Sequence, residues 1–387
     1  MLATNKFMAA LLIGGMLVVN LVYADASDEK AEKFDRGAVF VMTNDAVNNE
    51  IAMFGRAKNG RLFFFGKTST NGRGSLNQPI DPLASQRSII LTEDNKFLLA
   101  SNPGSNEISV FSVNGHELKV VDKVSSNGIH PVSITVNEGV VYVLNTGGDG
   151  TVAGFKLSEE GRLIAIPNSV RSLGLNGTVP PQTNDVNHQI LFNPSGDRLI
   201  VSGGTNTNQL KVYSVDEEGL IGADSIDSDS AGANPFSLLF SRYGHLVVAE
   251  GEGTNALSSY SLNDNNTLSA ITKTLHNGKF FSCWVVSSGT RFIYLINTRT
   301  DDISLYKTAK NGVLTLVNAG IVSLGSGARQ TDSIFSKDGQ YLYTLNGGLG
   351  TVGVLGVNST NGSLTLIEQA GGLQDRARLG LQGIAAY

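Results

Sequence analysis

Nine polar side chains stand where apolar strands begin or end: Arg87, His130, Asn187, His188, Glu250, Glu252, Arg299, Arg329 and Asp332. Glu250 closes the apolar run of HLVVAEGEGTN (245–255), and a carboxylate there can move a proton. His130 in GIHPVS (128–133) and His188 in NDVNHQIL (184–191) each start a strand; either can act as general acid or base, or rest as a neutral polar side chain in a channel. Arg299 in NTRTDD (297–302) can hold an anion, although Asp301 and Asp302 offer it surface partners. The expected proton-transfer groups are therefore Glu250, His130 and His188, and the expected substrate-binding groups are Arg299, Arg87, Asn187 and Asp332.

Other chemistries lack their motifs. HExxH, GxSxG, a phosphate loop and paired CxxC are absent, and His116, His245 and His276 show no zinc spacing. DSIDSDS (224–230) is acidic but lacks the pattern of a helix-loop-helix calcium site. The expectation is acid–base work by side chains, with no metal and no cofactor.

The elements that must position these groups form a repeat. One unit recurs: an apolar strand, a turn, a strand with an aromatic residue, a glycine turn, and a strand beginning with Leu. It is clearest in VVYVLNTGGDGTVAGFKLSEEGRLIAI (140–166), RFIYLINTRTDDISLYKTAKNGVLTLV (291–317) and QYLYTLNGGLGTVGVLGVNSTNGSLTLI (340–367). Aligned on the last position of the first strand, seven units give a column of Asn44, Asn102, Asn145, Gly203, Glu250, Asn297 and Asn346. The asparagines read as turn residues, because Asn tolerates left-handed backbone and caps turns through its side chain. Glu has neither property, so Glu250 is the exception in the column.

Six units are preceded by a further apolar strand, and the first is not; its missing strand is LQGIAAY (381–387), at the C-terminus. A four-stranded blade built from both termini closes a ring and leaves no open sheet edge. The expected fold is all-β, a seven-bladed β-propeller over 37–387 whose C-terminal strand joins the N-terminal blade. In such a ring the innermost strands line a channel. The asparagine column, the starts of the inner strands and the long connections 68–87, 170–185 and 224–235 then share one face, the expected site face.

Composition sets further bounds. A net charge of -5 over 387 residues gives no basic footprint for nucleic acid. Residues 1–24 read as an export signal, with Lys6 before FMAALLIGGMLVVNLVY (7–23) and small residues before the expected cleavage site, an uncleaved anchor being the alternative for this long apolar run; 25–36 read as a flexible leader. The mature chain is expected to be secreted or periplasmic, monomeric and free of the membrane. The single cysteine, Cys283, allows no intrachain disulfide and reads as an inert core thiol. Asn176, Asn265, Asn358 and Asn361 each begin a glycosylation sequon.

FNPSGDRLIV (192–201), FSKDGQYLYTLN (335–346) and the repeated unit resemble the lactonase-type seven-bladed propellers, which include 6-phosphogluconolactonases and carboxymuconate cyclases. GAVFVMTND (37–45), HPVSITV (130–136) and SCWVV (282–286) resemble an exported branch of that family. The resemblance implies a His–Arg–Glu–Arg set around the channel mouth. His130, Pro131 and Ser133 match its HPHS-like motif, with Val132 in place of the second His. At the next places this chain carries His188 and Gln189 for a PRH-like motif, Gly203 for the Glu, and Glu250 and Gly251 near the last Arg. The implied activity is opening or forming a lactone ring on a small lactone or carboxylate. The alternative is a non-catalytic extracellular propeller that binds a glycan, a surface or a protein.

Overall fold

The computed structural model describes residues 34–75, 80–181, 187–203, 207–251 and 253–387. The expected export signal, most of the leader, and Glu252 lie outside these residues.

Seven antiparallel sheets make up the described chain. From the axis outward, blade one is Ile384–Ala386, Ala38–Met42, Glu50–Arg56 and Leu62–Ser69. Val39 pairs with Ala386 and Val41 with Ile384, so the C-terminus closes the ring inside the first blade. Blades two to seven begin with the inner strands Ile89–Leu91, Pro131–Asn137, Ile190–Phe192, Pro235–Phe240, Ser282–Val286 and Gln330–Phe335. Blade three carries an extra short strand, Arg171–Ser172, paired with its third strand.

Each second strand is buried along all or all but the first residue of its length, as in AVFVM (38–42) and FIYLIN (292–297), because neighbouring blades cover both of its faces. That explains near-continuous apolar runs where a sheet with one wet face would alternate. The outermost strands do alternate: ELKVVDKVS (117–125) switches between partly buried and exposed positions.

The glycine turns also join blades. Gly362 has φ +79, and a Cβ there would lie 2.7 Å from the Phe292 ring of blade six. The Tyr294 hydroxyl of blade six donates to Gly362 O at 3.0 Å, and Tyr142 of blade three makes the same bond to Gly219 O at 2.8 Å. The tyrosine of the second strand and the glycine turn of the next blade are thus two halves of one contact between blades.

Candidate functional site

The expected channel mouth is closed by the chain itself. Leu83, Ala84, Ser85 and Gln86 are 2%, 4%, 0% and 5% exposed, although they belong to a connection. Ser85 Oγ donates to Val132 O at 2.9 Å, and Ser133 Oγ donates to Gln86 O at 2.7 Å, both in blade three. Ser85 O accepts Trp284 Nε1 of blade six at 3.1 Å and Gln382 Nε2, beside blade one, at 2.9 Å. Bonds to blades on opposite sides of the axis fix this segment across the channel as a stopper. Buried backbone groups need such partners, which is why the segment is held so completely.

His188 belongs to the stopper's seat. It is 1% exposed, stacks on Phe236 with centroids 4.4 Å apart, and donates from Nδ1 to Ala84 O at 2.7 Å. Its Nε2 lies 2.8 Å from the Asn234 side-chain oxygen; a neutral ring that donates from Nδ1 accepts at Nε2, so the Asn234 amide satisfies it by turning its NH2 group toward the ring. Burial lowers its pKa and keeps the ring neutral. His130 is 4% exposed with φ +60, and burial lowers its pKa to about 4. Its backbone N–H, not its ring, makes the bond to Asn106 Oδ1 at 2.8 Å. Asn187 is buried and donates from Nδ2 to Ser202 O at 2.6 Å.

The asparagine column is a set of braces, which corrects its reading as turn chemistry. Of the five asparagines only Asn44 has a left-handed backbone, with φ 49. The others are buried and tie neighbouring segments together. Asn297 Oδ1 accepts Asn277 Nδ2 at 2.9 Å and Ser282 Oγ at 2.7 Å, while its Nδ2 donates to Ser304 Oγ at 2.9 Å. Glu250, 0% exposed, fills the same place in blade five. Its Oε1 accepts Ser258 Oγ at 2.6 Å, Gly232 N–H at 2.7 Å and Ser230 Oγ at 3.3 Å. Burial raises its pKa against the pull of these donors. The carboxylate pins the connection 230–234 and does not line the channel.

Arg299 lies on the surface over the Phe281 ring, with Cζ 4.6 Å from the centroid. Its expected acidic partners are engaged elsewhere: Asp301 accepts the N–H groups of Gly327 and Arg329, and Asp302 pairs with Lys279.

Two of the expected binding residues do meet. Arg87 and Asp332 share a cavity of ≈ 450 Å³ in the channel, together with Gln86, Ser333, Leu238 and Val285. It extends past Ile89 and Leu91 to Glu93, Asn95 and Lys337, and so opens on the face opposite the asparagine column. The stopper forms its floor. Asp332 reaches the channel because its strand shifts register between Gln330 and Asp332, and such a bulge re-aims side chains. Burial pushes Asp332 up to about 7, against N–H bonds from Ser333 and Ile384 and the attraction of Arg87. Asp81, in the stopper, is raised to about 8 by burial and by the Asp332 charge, while Gln382 and the N–H groups of Ser85 and Ala84 bond to it. A carboxyl that titrates near neutrality can exchange a proton, and the guanidinium in the same cavity can hold an anion. Among the described residues, no group of three or more His, Cys, Asp and Glu is arranged to hold a metal ion.

Asp81 and Gln86 escaped sequence reasoning. The available signal was Leu83-Ala84, two apolar residues inside an otherwise polar connection.

Comparison with known proteins agrees with this architecture. An uncharacterised protein of Lactococcus lactis subsp. cremoris is 23% identical over 252 residues, 62% of this chain and 72% of the relative. The periplasmic gluconolactonase of Pseudomonas aeruginosa superposes with a TM-score of 0.68 at 15% identity, covering 90% of this chain and 98% of that one. A Bacteroides fragilis protein described as a candidate 6-phosphogluconolactonase gives 0.67 at 16% identity, covering 91% and 98%. At these identities the superpositions establish the fold alone. The model of the seven-bladed β-propeller lactonases matches residues 47–171 and 283–383, and the chain belongs to that family.

Proposed function

We propose that this propeller opens or forms a lactone ring at the channel floor, with Asp332 as the proton-transfer group and Arg87 as the anion-holding group. The observation that carries this reading is the convergence of the two side chains on one cavity, with the carboxyl held at about 7. In the hydrolytic direction a water oxygen attacks the ring carbonyl carbon and gives its proton to Asp332. The Arg87 guanidinium stabilises the negative charge that builds on the carbonyl oxygen. The ring C–O bond then breaks, Asp332 returns the proton to the leaving alkoxide, the new carboxylic acid releases its own proton to water, and Arg87 holds the carboxylate. Ring closure is the same sequence in reverse.

In this reading Glu250 and His188 are positioning residues, the first for the connection 230–234 and the second for the stopper. The export signal expected over 1–24 assigns the protein to the periplasm or the outside of the cell, acting as a monomer on a small molecule. The periplasmic gluconolactonase of similar fold is consistent with that setting.

The closed mouth favours a second reading, a non-catalytic propeller that binds an extracellular glycan or protein. A panel of lactones offered to the purified protein separates the two. The catalytic reading expects turnover that falls by about 10²–10⁴ in Asp332→Asn and persists in Glu250→Gln. No turnover by the wild-type protein, with saturable binding to a glycan or protein, supports the second reading.

A further inference from the structure

Independently of the catalytic reading, we propose that the asparagine-column face docks on an anionic lipid bilayer through a patch spanning blades six, seven and one. Four apolar side chains stand exposed on separate turns of this face: Val47 at 83%, Phe280 at 59%, Leu379 at 40% and Leu349 at 37%. Three cations lie between them: Arg299 and Arg378 are exposed, and Arg329 is half-buried. The patch is continuous. Arg299 N–H donates to Phe280 O at 3.4 Å, and Arg329 Nη1 donates to Arg299 O at 3.3 Å. A Cβ on Gly348, the neighbour of Leu349, would lie 2.9 Å from Arg329 Cγ. Arg378 N–H donates to Gly347 O at 2.9 Å. Arg376 pairs at 2.6 Å with Asp45, which also accepts the Val47 N–H.

The carboxylates around the patch are engaged elsewhere. Asp301 holds the backbone N–H groups of Gly327 and Arg329, Asp302 pairs with Lys279, Asp45 with Arg376, and Asp375 with Lys67. In a chain of net charge -5, positive potential is thus concentrated where the fold presents apolar side chains. That combination selects the partner. Arginines attract the phosphate surface of an anionic leaflet, while Phe and aliphatic side chains on loop tips enter the boundary between head groups and acyl chains. An acidic polysaccharide would satisfy the arginines, but Val47, Leu349 and Leu379 offer it neither a hydrogen bond nor an aromatic face. A protein partner is gripped by anchors in central pockets, whereas these apolar side chains stand on four separate turns. Docking leaves the channel cavity free, because the segment 81–87 closes this face and the cavity opens on the other. The contact is peripheral: among the described residues no helix is long and apolar enough to cross a membrane.

The test is flotation of the full chain with phosphatidylcholine vesicles, with and without phosphatidylglycerol. An arginine at an anionic surface raises the partition coefficient about fivefold, so replacing Arg299, Arg329 and Arg378 together by Ala should lower it about 10²-fold. Phe280→Ser should lower it several-fold, and added salt should weaken binding of the wild type. Arg242→Ala, exposed on the opposite face, should bind as the wild type does. The unfolding transition shows that each variant is folded. Equal binding to both vesicle types, unmoved by the triple substitution, comes from the apolar run 7–23 and overturns the inference. Absence of binding to the anionic vesicles overturns it too, as does a loss in Arg242→Ala as large as in the triple variant. Binding to dextran sulfate that needs the arginines but not Phe280, without vesicle binding, overturns it in favour of an acidic polysaccharide.

Discussion

Glu250 offers a direct test of whether a chemically suggestive residue is structural. Replacing it with Ala strands the Gly232 N–H and the Ser258 hydroxyl, which it accepts at 2.7 Å and 2.6 Å. Ser230 is less affected, because its hydroxyl also lies 3.3 Å from the Tyr260 hydroxyl. A buried donor left without a partner costs ~1–3 kcal/mol, so two stranded donors set the loss at about 2–6 kcal/mol. Glu250→Gln keeps an oxygen at the Oε1 position and puts an amide where Oε2 has no partner and lies 2.3 Å from where a Gly232 Cβ would be. It gives up a charge-assisted acceptor but also a buried charge whose pKa is raised, and the two changes oppose each other. The amide NH2 meets no acceptor at that place, which costs ~1–3 kcal/mol, so the expected effect is a loss smaller than that of Glu250→Ala. Urea unfolding of the wild type and both variants measures this, provided the m-values agree. A Gln variant as destabilised as the Ala variant would refute the account of the brace. A Gln variant with unchanged stability and lost activity would return Glu250 to the catalytic machinery.

Two further predictions concern the stopper and the contacts between blades. Asp81 has a folded pKa raised from 3.8 to about 8, so its contribution to stability is present below about pH 4 and is lost as pH rises toward 8. Wild-type stability should fall across that window, and Asp81→Asn should remove ~2 kcal/mol or more of the fall, as read by denaturation at pH 5 and pH 8; equal pH dependence in the two proteins would refute this. Gly362→Ala forces a side chain into φ +79 and against the Phe292 ring, and should cost about 1–3 kcal/mol by thermal unfolding, whereas unchanged stability would contradict the proposed contact.

The ring was legible because its signals are local. An apolar run, a turn and an aromatic residue recur within each unit, and the closing strand at 381–387 completes the only unit that begins without a preceding strand. Individual side-chain directions were not legible. Asn102 and Asn297 look like turn residues until the register places them against Asn49, Thr70 and Asn277. Glu250 then looks anomalous only because the column had been assigned to turn geometry. Asp332 and Arg87 were both readable as charged residues flanking inner strands. Their convergence depends on the register shift before Asp332 and on a connection folded into the channel, neither of which leaves a periodic trace. His130 and His188 show the reverse: they have a suggestive residue type at a suggestive position, and burial makes both neutral.

The dependence of lactone turnover on pH tests the central claim most directly. With Asp332 as the proton-transfer group of ring opening, kcat/KM of the wild type should rise with pH through an inflection near 7, where burial holds this carboxyl. Asp332→Asn, shown to be folded by its unfolding transition, should lose both that inflection and most of the rate. An inflection that survives in Asp332→Asn and disappears in a His130 or Glu250 variant would contradict the account and place the chemistry at the closed mouth.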